Sequence, residues 1–185
     1  MLPACLWIVT PALGRNAMPD AHSFETVPRS VNSCADPADA MTVYQAFSGQ
    51  RTAHLLDVRW SFVNANSLQP AGPVLWSFEG PAFRAWRTQQ PFTVPLFRLT
   101  GTNNNDYIFM TGADASTPPI VGGFTAGSPV AWVYNTPGCD SVPLMSAVLA
   151  SATDHYWTTD AHDHAALLAR GWKDGGVVAY VLPPI

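Results

Sequence analysis

The sequence predicts a mainly β domain with short helices, in which three pseudo-repeats close around a pseudo-threefold axis in a trefoil-like or small propeller-like form. Three observations support this fold class. Hydrophobic residues make up 48% of the 185 residues and charged residues only 12%, which favours a packed core over disorder. The aromatic content of 11%, with 17 Pro and 13 Gly, is typical of short strands joined by many turns. The third observation is an internal repeat.

The repeat is clearest between residues 94–141 and residues 142–185, which align without a gap at a shift of 48. The VPL that opens the first segment falls on the VPL that opens the second, and VAWV falls on VAYV near their ends. Agreement at both ends of one register is specific, so we interpret these two segments as a true repeat.

A third, more diverged copy comes first in the chain. A shift of 53 places His54 on Tyr107, and the shift of 48 between units two and three places Tyr107 on His155. After an insertion of about seven residues, Ala85-Trp86 is predicted to fall on Ala131-Trp132. The predicted organisation is an irregular leader (1–40) followed by a single domain (41–185) of unit one (41–93), unit two (94–141) and unit three (142–185).

Each unit has the same predicted order of elements. A strand marked by Pro is followed by a polar turn and a second strand, and an alternating strand closes the unit. Unit three also has a predicted short helix, with Asp160 as its N-cap, Asp163 three residues later and Gly171 as its stop. Pro70 and Pro73 in unit one, and the segment STPP in unit two, predict loops at the corresponding places.

Charge and motif content exclude several classes of function. The net charge is −4 and the nine Lys and Arg residues form no basic cluster, so we predict no nucleic-acid partner. The apolar start, Met1–Gly14, is too short to span a bilayer, so we predict no membrane partner; it is either the remnant of a secretory signal or a mobile terminus. Because GxSxG, P-loop and GxGxxG motifs are absent, we predict no cofactor and assign no catalytic residue.

The cysteines predict a disulfide rather than a metal site. The chain has three, Cys5, Cys34 and Cys139, and their spacing matches no metal signature. Cys34 and Cys139 each lie just before a repeat unit, so we expect them to pair with each other. Such a bond needs an oxidising compartment, which favours an extracellular protein.

The segment DHYWTTDAHDH, which starts at Asp154, is dense in Asp and His and permits two interpretations. In the structural one, Asp154 caps the turn, His155 donates to a backbone carbonyl near the pseudo-axis and Trp157 fills the core, as Leu56 and Phe109 do in the other units. In the functional one, a carboxylate and an imidazole bond to sugar hydroxyls while an aromatic ring stacks on the sugar.

A metal site in the same segment is disfavoured by spacing. His162 and His164 lie two residues apart on the predicted helix and therefore point in different directions. The HExxH spacing, which places two ligands on one helix face, is absent. We predict no metal.

Unit three, with VPL…DHYWTTD…GW…VAYV, resembles a tandem-repeat family of unknown function whose units run VPLYR…GDHFYTT…GY…EGIAGYV. Members of that family occur as secreted fungal proteins and as repeats appended to bacterial cell-wall hydrolases. The resemblance covers residues 34–185 and is strongest in unit three. Unit two has Asp106-Tyr107, and unit one has Ala53-His54, where the family has Asp-His.

The resemblance implies a secreted, non-enzymatic module that binds carbohydrate or cell-wall polymer. The alternatives are an extracellular protein that acts on other proteins, for defence or as an inhibitor, and a cell-wall glycan or peptide hydrolase with Asp154 and His155 in acid–base roles. The oligomeric state is not predicted. The candidate ligand-binding residues are Asp106, Tyr107, Asp154, His155, Tyr156 and Trp172.

Overall fold

The computed structural model describes residues 34–69 and 75–185. The first thirty-three residues of the predicted leader, with the signal hypothesis and Cys5, lie outside the described residues, as do Pro70 and Pro73. Within the described ranges, no helix is both long enough and apolar enough to cross a membrane.

The chain folds into three three-stranded antiparallel sheets with two short α-helices, which confirms the predicted mainly β class. Each sheet corresponds to one repeat unit. Unit one contains β1 (Met41–Ser48), β2 (Ala53–Asp57), α1 (Arg59–Ser67) and β3 (Ser77–Ala85); unit two contains β4 (Val94–Gly101), β5 (Tyr107–Thr111) and β6 (Phe124–Val133); unit three contains β7 (Val142–Leu149), β8 (Asp154–Thr158), α2 (Ala161–Ala169) and β9 (Lys173–Val181).

In every unit the first strand lies at the centre, with the second and third strands on either side, so the sheet orders are β2-β1-β3, β5-β4-β6 and β8-β7-β9. The pairing registers confirm the repeat between units two and three. Val94 pairs with Val133, and 48 residues later Val142 pairs with Val181. The same hydrophobic positions therefore face the core in both units.

The predicted alignment of the closing strand of unit one is wrong by two residues. Met41 pairs with Ala85 as Val94 pairs with Val133, so Ala85 corresponds to Val133 and not to Ala131. The alignment shift between units one and two is 53 in the second strand and 48 in the third. Unit one therefore has five extra residues between these strands, instead of about seven. The shared Ala-Trp dipeptide misled the alignment, because the strand register depends on which side chains are buried.

The three units close into a ring. The second strands β2, β5 and β8 contact one another pairwise, and so do the third strands β3, β6 and β9. At the ends of the third strands, single antiparallel bridges join the units in a cycle: Arg84 with Leu182, Trp86 with Trp132, and Tyr134 with Tyr180. Because the described strands form three separate sheets and no closed barrel, the form is propeller-like.

Helix α2 forms as the sequence predicts. Asp160 is its N-cap, and the carboxylate of Asp160 accepts the backbone N–H groups of His162 and Asp163. The predicted loop in unit two is also present, since no helix lies between β5 and β6. The predicted loop in unit one is wrong, because α1 follows β2 at the place where α2 follows β8. The prolines that suggested a loop come only after α1 has ended at Ser67.

The core lies where the second strands meet. Leu56, Phe109 and Trp157 occupy the same place in their units and are all buried, which confirms the expectation that position 157 fills the core. The rings of Phe109 and Trp157 are in edge-to-face contact, with their centroids 4.8 Å apart. Such an aromatic pair stabilises the packing beyond its buried area.

A smaller core holds the ends of the third strands together. It consists of Trp86, Tyr134 and Leu182, which occupy equivalent positions in the three units, together with Ala35. Trp86 is only 1% exposed. Its indole N–H donates to the carbonyl of Asp36 at 2.7 Å, which satisfies the polar edge of the ring inside the core.

The predicted disulfide is present beside this smaller core. Cys34 and Cys139 are bonded, with their Cα atoms 5.5 Å apart. The backbone N–H of Ala35 donates to the hydroxyl of Tyr134 at 2.9 Å. The disulfide and this hydrogen bond fix the segment that precedes β1 to the second unit.

Candidate functional site

The Asp-His motif joins one repeat unit to the next. The Asp154 carboxylate of unit three lies 2.9–3.0 Å from the Nδ1 atom of His54 in unit one, and it also accepts the backbone N–H of His54 at 2.8 Å. The side chains of Asp154 and His54 are only 5% and 11% exposed. A charge-assisted pair with this little solvent is stronger than an exposed one.

A second carboxylate faces the same imidazole from the opposite side. Glu79 on β3 approaches Nε2 of His54 at 3.3 Å and accepts the side-chain N–H of Gln45 at 3.1 Å. Burial alone lowers the pKa of His54, but the hydrogen bonds and charges of Asp154 and Glu79 outweigh burial and raise this pKa to about 9. His54 is therefore an imidazolium at neutral pH, held between two carboxylates.

The same pairing recurs once more around the ring. The Asp106 carboxylate of unit two lies 2.8 Å from Nδ1 of His155 in unit three. By the repeat register, the third pair would join position 53 of unit one to position 107 of unit two. Those positions hold Ala53 and Tyr107, so both partners of the third pair are replaced together. The motif is a set of contacts between units, of which this chain keeps two.

The structural interpretation of the motif therefore needs two corrections. The Asp154 carboxylate does not cap its own turn, because it accepts hydrogen bonds from His54 of another unit. His155 bonds to the Asp106 carboxylate and not to a backbone carbonyl. The rings of His155 and Trp157 stack on one side of β8, with an angle of 14° between them.

The six candidate ligand-binding residues lie at three different junctions. Tyr156 and Trp172 join Asp154 around His54, with ring centroids 4.9 and 6.4 Å from the imidazole. Asp106 and His155 meet at the junction of units two and three. Tyr107 lies at the junction of units one and two, where its ring contacts that of Trp76 at 5.9 Å. The structure does not bring all six into one site.

A polar cleft of about 270 Å³ lies between units three and one, and Glu79, which contacts His54, is among its lining residues. We call it the acidic cleft, and it is lined by residues 45, 79–82, 156–160, 163 and 184. Its charged side chains are three carboxylates, from Glu79, Asp160 and Asp163. Tyr156, which is half-buried, is the only one of the six candidate residues that lines this cleft.

A second cleft, of about 220 Å³, occupies the corresponding place between units one and two. We call it the arginine cleft, and it is lined by residues 51, 55, 57, 61–62, 65, 75–76, 98, 100, 104 and 107. Its charged side chains are Arg51, Arg98 and Asp57. By the strand registers, Arg98 corresponds to Gln45 of the acidic cleft, so the two clefts share a frame but differ in charge.

His162 and His164 do not come together with acidic residues as metal ligands. Nε2 of His164 lies 3.1 Å from the carbonyl oxygen of Ser146 and 3.5 Å from Asp174. Within residues 34–69 and 75–185, no three His, Cys, Asp or Glu side chains form a group that could hold a metal ion.

Comparison with known protein families identifies a matching family. The model of a domain of unknown function, DUF5648, matches residues 42–182. The chain belongs to this family. The matched segment begins in β1 and ends just after β9, and thus spans all three repeat units. No curated protein and no solved structure matches the chain.

Sequence reasoning missed two residues at the centre of this DUF5648 domain, His54 and Glu79. The repeat alignment places His54 on His155, which was a usable signal for a second imidazole at a junction. Glu79 carries no such signal. The strand registers place it on Gly127 and Gly175, so it is an acidic side chain found only in unit one.

Proposed function

We propose that this protein is a secreted, non-enzymatic module that binds carbohydrate or a cell-wall polymer in the acidic cleft. The observation that carries the proposal is the chemistry of the lining. Three carboxylates accept hydrogen bonds from sugar hydroxyls, and the half-buried ring of Tyr156 offers an apolar face for a sugar ring.

Several polar groups of the cleft retain hydrogen-bonding capacity for a ligand. Asp160 caps α2 through one carboxylate oxygen, Oδ1. Glu79 is held by Gln45 and His54. Asp163, at the start of α2, and Thr159, after β8, extend the polar surface at the rim of the cleft. Because Glu79 and Asp160 are already held in place by hydrogen bonds, a ligand would bind with little rearrangement of these side chains.

Secretion is the second part of the proposal. A disulfide such as Cys34–Cys139 persists in oxidising compartments and is rare in the cytosol. The resemblance of unit three to repeats of secreted fungal proteins and of modules appended to bacterial cell-wall hydrolases supports the same compartment. It also supports a polymer outside the cell as the ligand.

The geometry favours binding over hydrolysis by the motif residues. A general acid or base must reach the substrate proton that it transfers. Asp154 is buried and bonded to His54, and His155 is bonded to Asp106. Both members of the proposed acid–base pair are therefore occupied by contacts between units.

A second candidate function, binding of another protein, rests on a separate observation. Trp60 and Leu68 are both 71% exposed, and Val63 lies between them with its side chain also exposed. Trp60 and Val63 are three residues apart and so share one face of α1. Trp60, Val63 and Leu68 line neither cleft, and an exposed group of large apolar side chains is typical of a protein-interaction surface.

The proposal predicts that Asp163→Asn weakens glycan binding without unfolding the protein. The change keeps the shape of a side chain at the rim of the acidic cleft but removes its charge. Because a hydrogen bond to a charged group is worth about 1.5–3 kcal/mol, affinity should fall by about tenfold or more. The measurement is binding of the full chain to a glycan array and to insoluble chitin, β-glucan and peptidoglycan.

The matched control is Asp39→Asn, which removes the same charge from an exposed position outside the cleft. The proposal expects the control to bind like the wild type. Absence of binding to every glycan and polymer would contradict the carbohydrate assignment. Equal weakening by both substitutions would show a non-specific charge effect and would contradict the assignment to the acidic cleft.

A further inference from the structure

The arginine cleft differs from the acidic cleft in the sign of its charge. Arg51, Arg98 and Asp57 are its charged side chains, which gives a net charge of +1. The guanidinium of Arg98 contacts the Asp57 carboxylate at 3.1 Å. No carboxylate among the described residues lies within 4.0 Å of the Arg51 guanidinium, which stacks on Trp76 with its Cζ atom 5.5 Å from the ring centroid.

Both guanidinium groups keep donors that the described residues do not use. Each guanidinium carries five N–H donors. Arg51 donates through Nη1 to the Tyr107 hydroxyl, and Arg98 donates through Nη1 to Asp57. A planar guanidinium with unused donors binds a carboxylate through two parallel hydrogen bonds.

The residues of units one and two at this junction differ together from those at the other two junctions. The Asp-His pair of the other junctions is replaced by Ala53 and Tyr107. Tyr107 lines the cleft. Its hydroxyl accepts a hydrogen bond from Arg51 and donates one to the carbonyl of Asn104 at 2.9 Å. Arg98 stands where unit one has Gln45. The junction without the ion pair is therefore the one whose cleft holds two guanidinium groups.

We propose that the arginine cleft binds a monoanionic, carboxylate-bearing sugar, such as a uronic acid residue of a polysaccharide. A net charge of +1 matches one carboxylate better than a doubly charged phosphate. Ser61, Thr100 and Asn104 line the cleft and suit sugar hydroxyls, while Phe62 and Trp76 form an apolar floor. The volume of about 220 Å³ lies below the roughly 300–1,000 Å³ of sites for drug-sized ligands and suits a single sugar ring.

The test is titration of the full chain with glucuronate and galacturonate, followed by calorimetry or NMR, against glucose and galactose as neutral counterparts. We expect the uronates to bind at least about tenfold more tightly than the neutral sugars, and added salt to weaken this binding. Arg98→Gln installs the residue that unit one carries at this position and leaves Asp57 its hydrogen bonds with Val58 and Ser61. It should lower uronate affinity at least about tenfold.

Three further variants make the test specific. Arg51→Gln should lower uronate affinity to a similar extent as Arg98→Gln. Arg87→Gln removes an exposed arginine outside the cleft and should leave uronate affinity unchanged. Asp39→Asn, which changes an exposed residue that lines neither cleft, should also leave it unchanged. The acidic-cleft proposal is tested separately by Asp163→Asn, so a failure of this proposal is distinguishable from a failure of that one.

Three results would overturn the inference. The first is equal affinity for uronates and neutral sugars. The second is unchanged uronate binding in both arginine variants, once circular dichroism has shown that they are folded. If Arg51→Gln does not fold, Arg98→Gln decides alone. The third is acetate binding as tightly as glucuronate, which would overturn the assignment to a sugar.

Discussion

Replacing Asp154 by Ala should lower the free energy of unfolding by about 3 kcal/mol, since removing one partner of a buried ion pair typically costs about 3–5 kcal/mol. The change leaves the backbone N–H of His54 without its acceptor and the imidazolium without the nearer of its two carboxylates. Glu79 still faces Nε2 of His54, which places the expected loss at the lower end of that range. Urea unfolding followed by tryptophan fluorescence measures it.

Two variants control this prediction. Asp106→Ala removes the equivalent carboxylate, which makes a single contact with His155 and has a side chain 19% exposed, so it should lose roughly 1–2 kcal/mol. Ser151→Ala changes an exposed position in the turn before β8 and should alter stability by less than about 0.5 kcal/mol. A loss of less than about 1 kcal/mol in Asp154→Ala would contradict the role of the motif as a contact between units.

Loss of the disulfide should have an effect of similar size, about 2–5 kcal/mol. Cys34 and Cys139 are 105 residues apart in sequence, so their bond restricts a long loop of the unfolded chain. In the folded protein the bond lies beside the core of Trp86, Tyr134 and Leu182, where the three closing strands end. Thermal and urea unfolding of the double variant Cys34→Ala/Cys139→Ala, compared with the wild type, measure the loss.

Reduction provides the control for the disulfide. Dithiothreitol should lower the stability of the wild type to that of the double variant and should leave the double variant unchanged. If the double variant were as stable as the oxidised wild type, the disulfide would not contribute to the closure of the ring.

Much of the fold was predictable from the sequence because the repeat carries the information. The ungapped alignment of units two and three predicted the strands of both, and the N-cap signal of Asp160 predicted α2. Helix α1 lacks such a signal. Its N-cap is Val58, which makes no side-chain capping bond. Asp57, one residue earlier, instead accepts hydrogen bonds from Val58 and Ser61.

The pairing of Asp with His across units could not be predicted from local sequence patterns. His54 and Asp154 are 100 residues apart, and His155 and Asp106 are 49 residues apart. The sequence shows Asp next to His within a unit and so suggests a local site, whereas β8 directs the two side chains to different neighbours. The absence of both Asp and His at positions 53 and 107, which hold Ala53 and Tyr107, was a signal. It is interpretable only when the order of units around the ring is known.

The contacts that hold the repeat units together involve mostly different residues from those that line the two clefts. The Asp–His pairs and the aromatic core hold the units together, so the clefts beside them can differ in charge without loss of the fold. Gln45 and Arg98 illustrate this point, since they occupy one position of the repeat and line clefts of opposite charge. Residues of one cleft can therefore be substituted without changing those of the other.

The charge of His54 links the contact between units to pH. Its folded-state pKa of about 9 exceeds the ordinary value of 6.5. The stability that the charged form contributes is therefore fully present below about pH 6.5 and is lost as the pH rises through about 9. This difference between the two pKa values corresponds to about 3 kcal/mol of folding stability.

The most direct test of the contact between units is an NMR titration of the histidine imidazoles in the folded protein, with the His54 signal assigned from a His54→Gln variant. We expect His54 to titrate near pH 9, and its pKa to fall when Asp154→Asn removes one of the two carboxylate charges. A His54 pKa close to 6.5 in the wild type would mean that the imidazole is not held between Asp154 and Glu79, and would contradict the role of the motif as a contact between units.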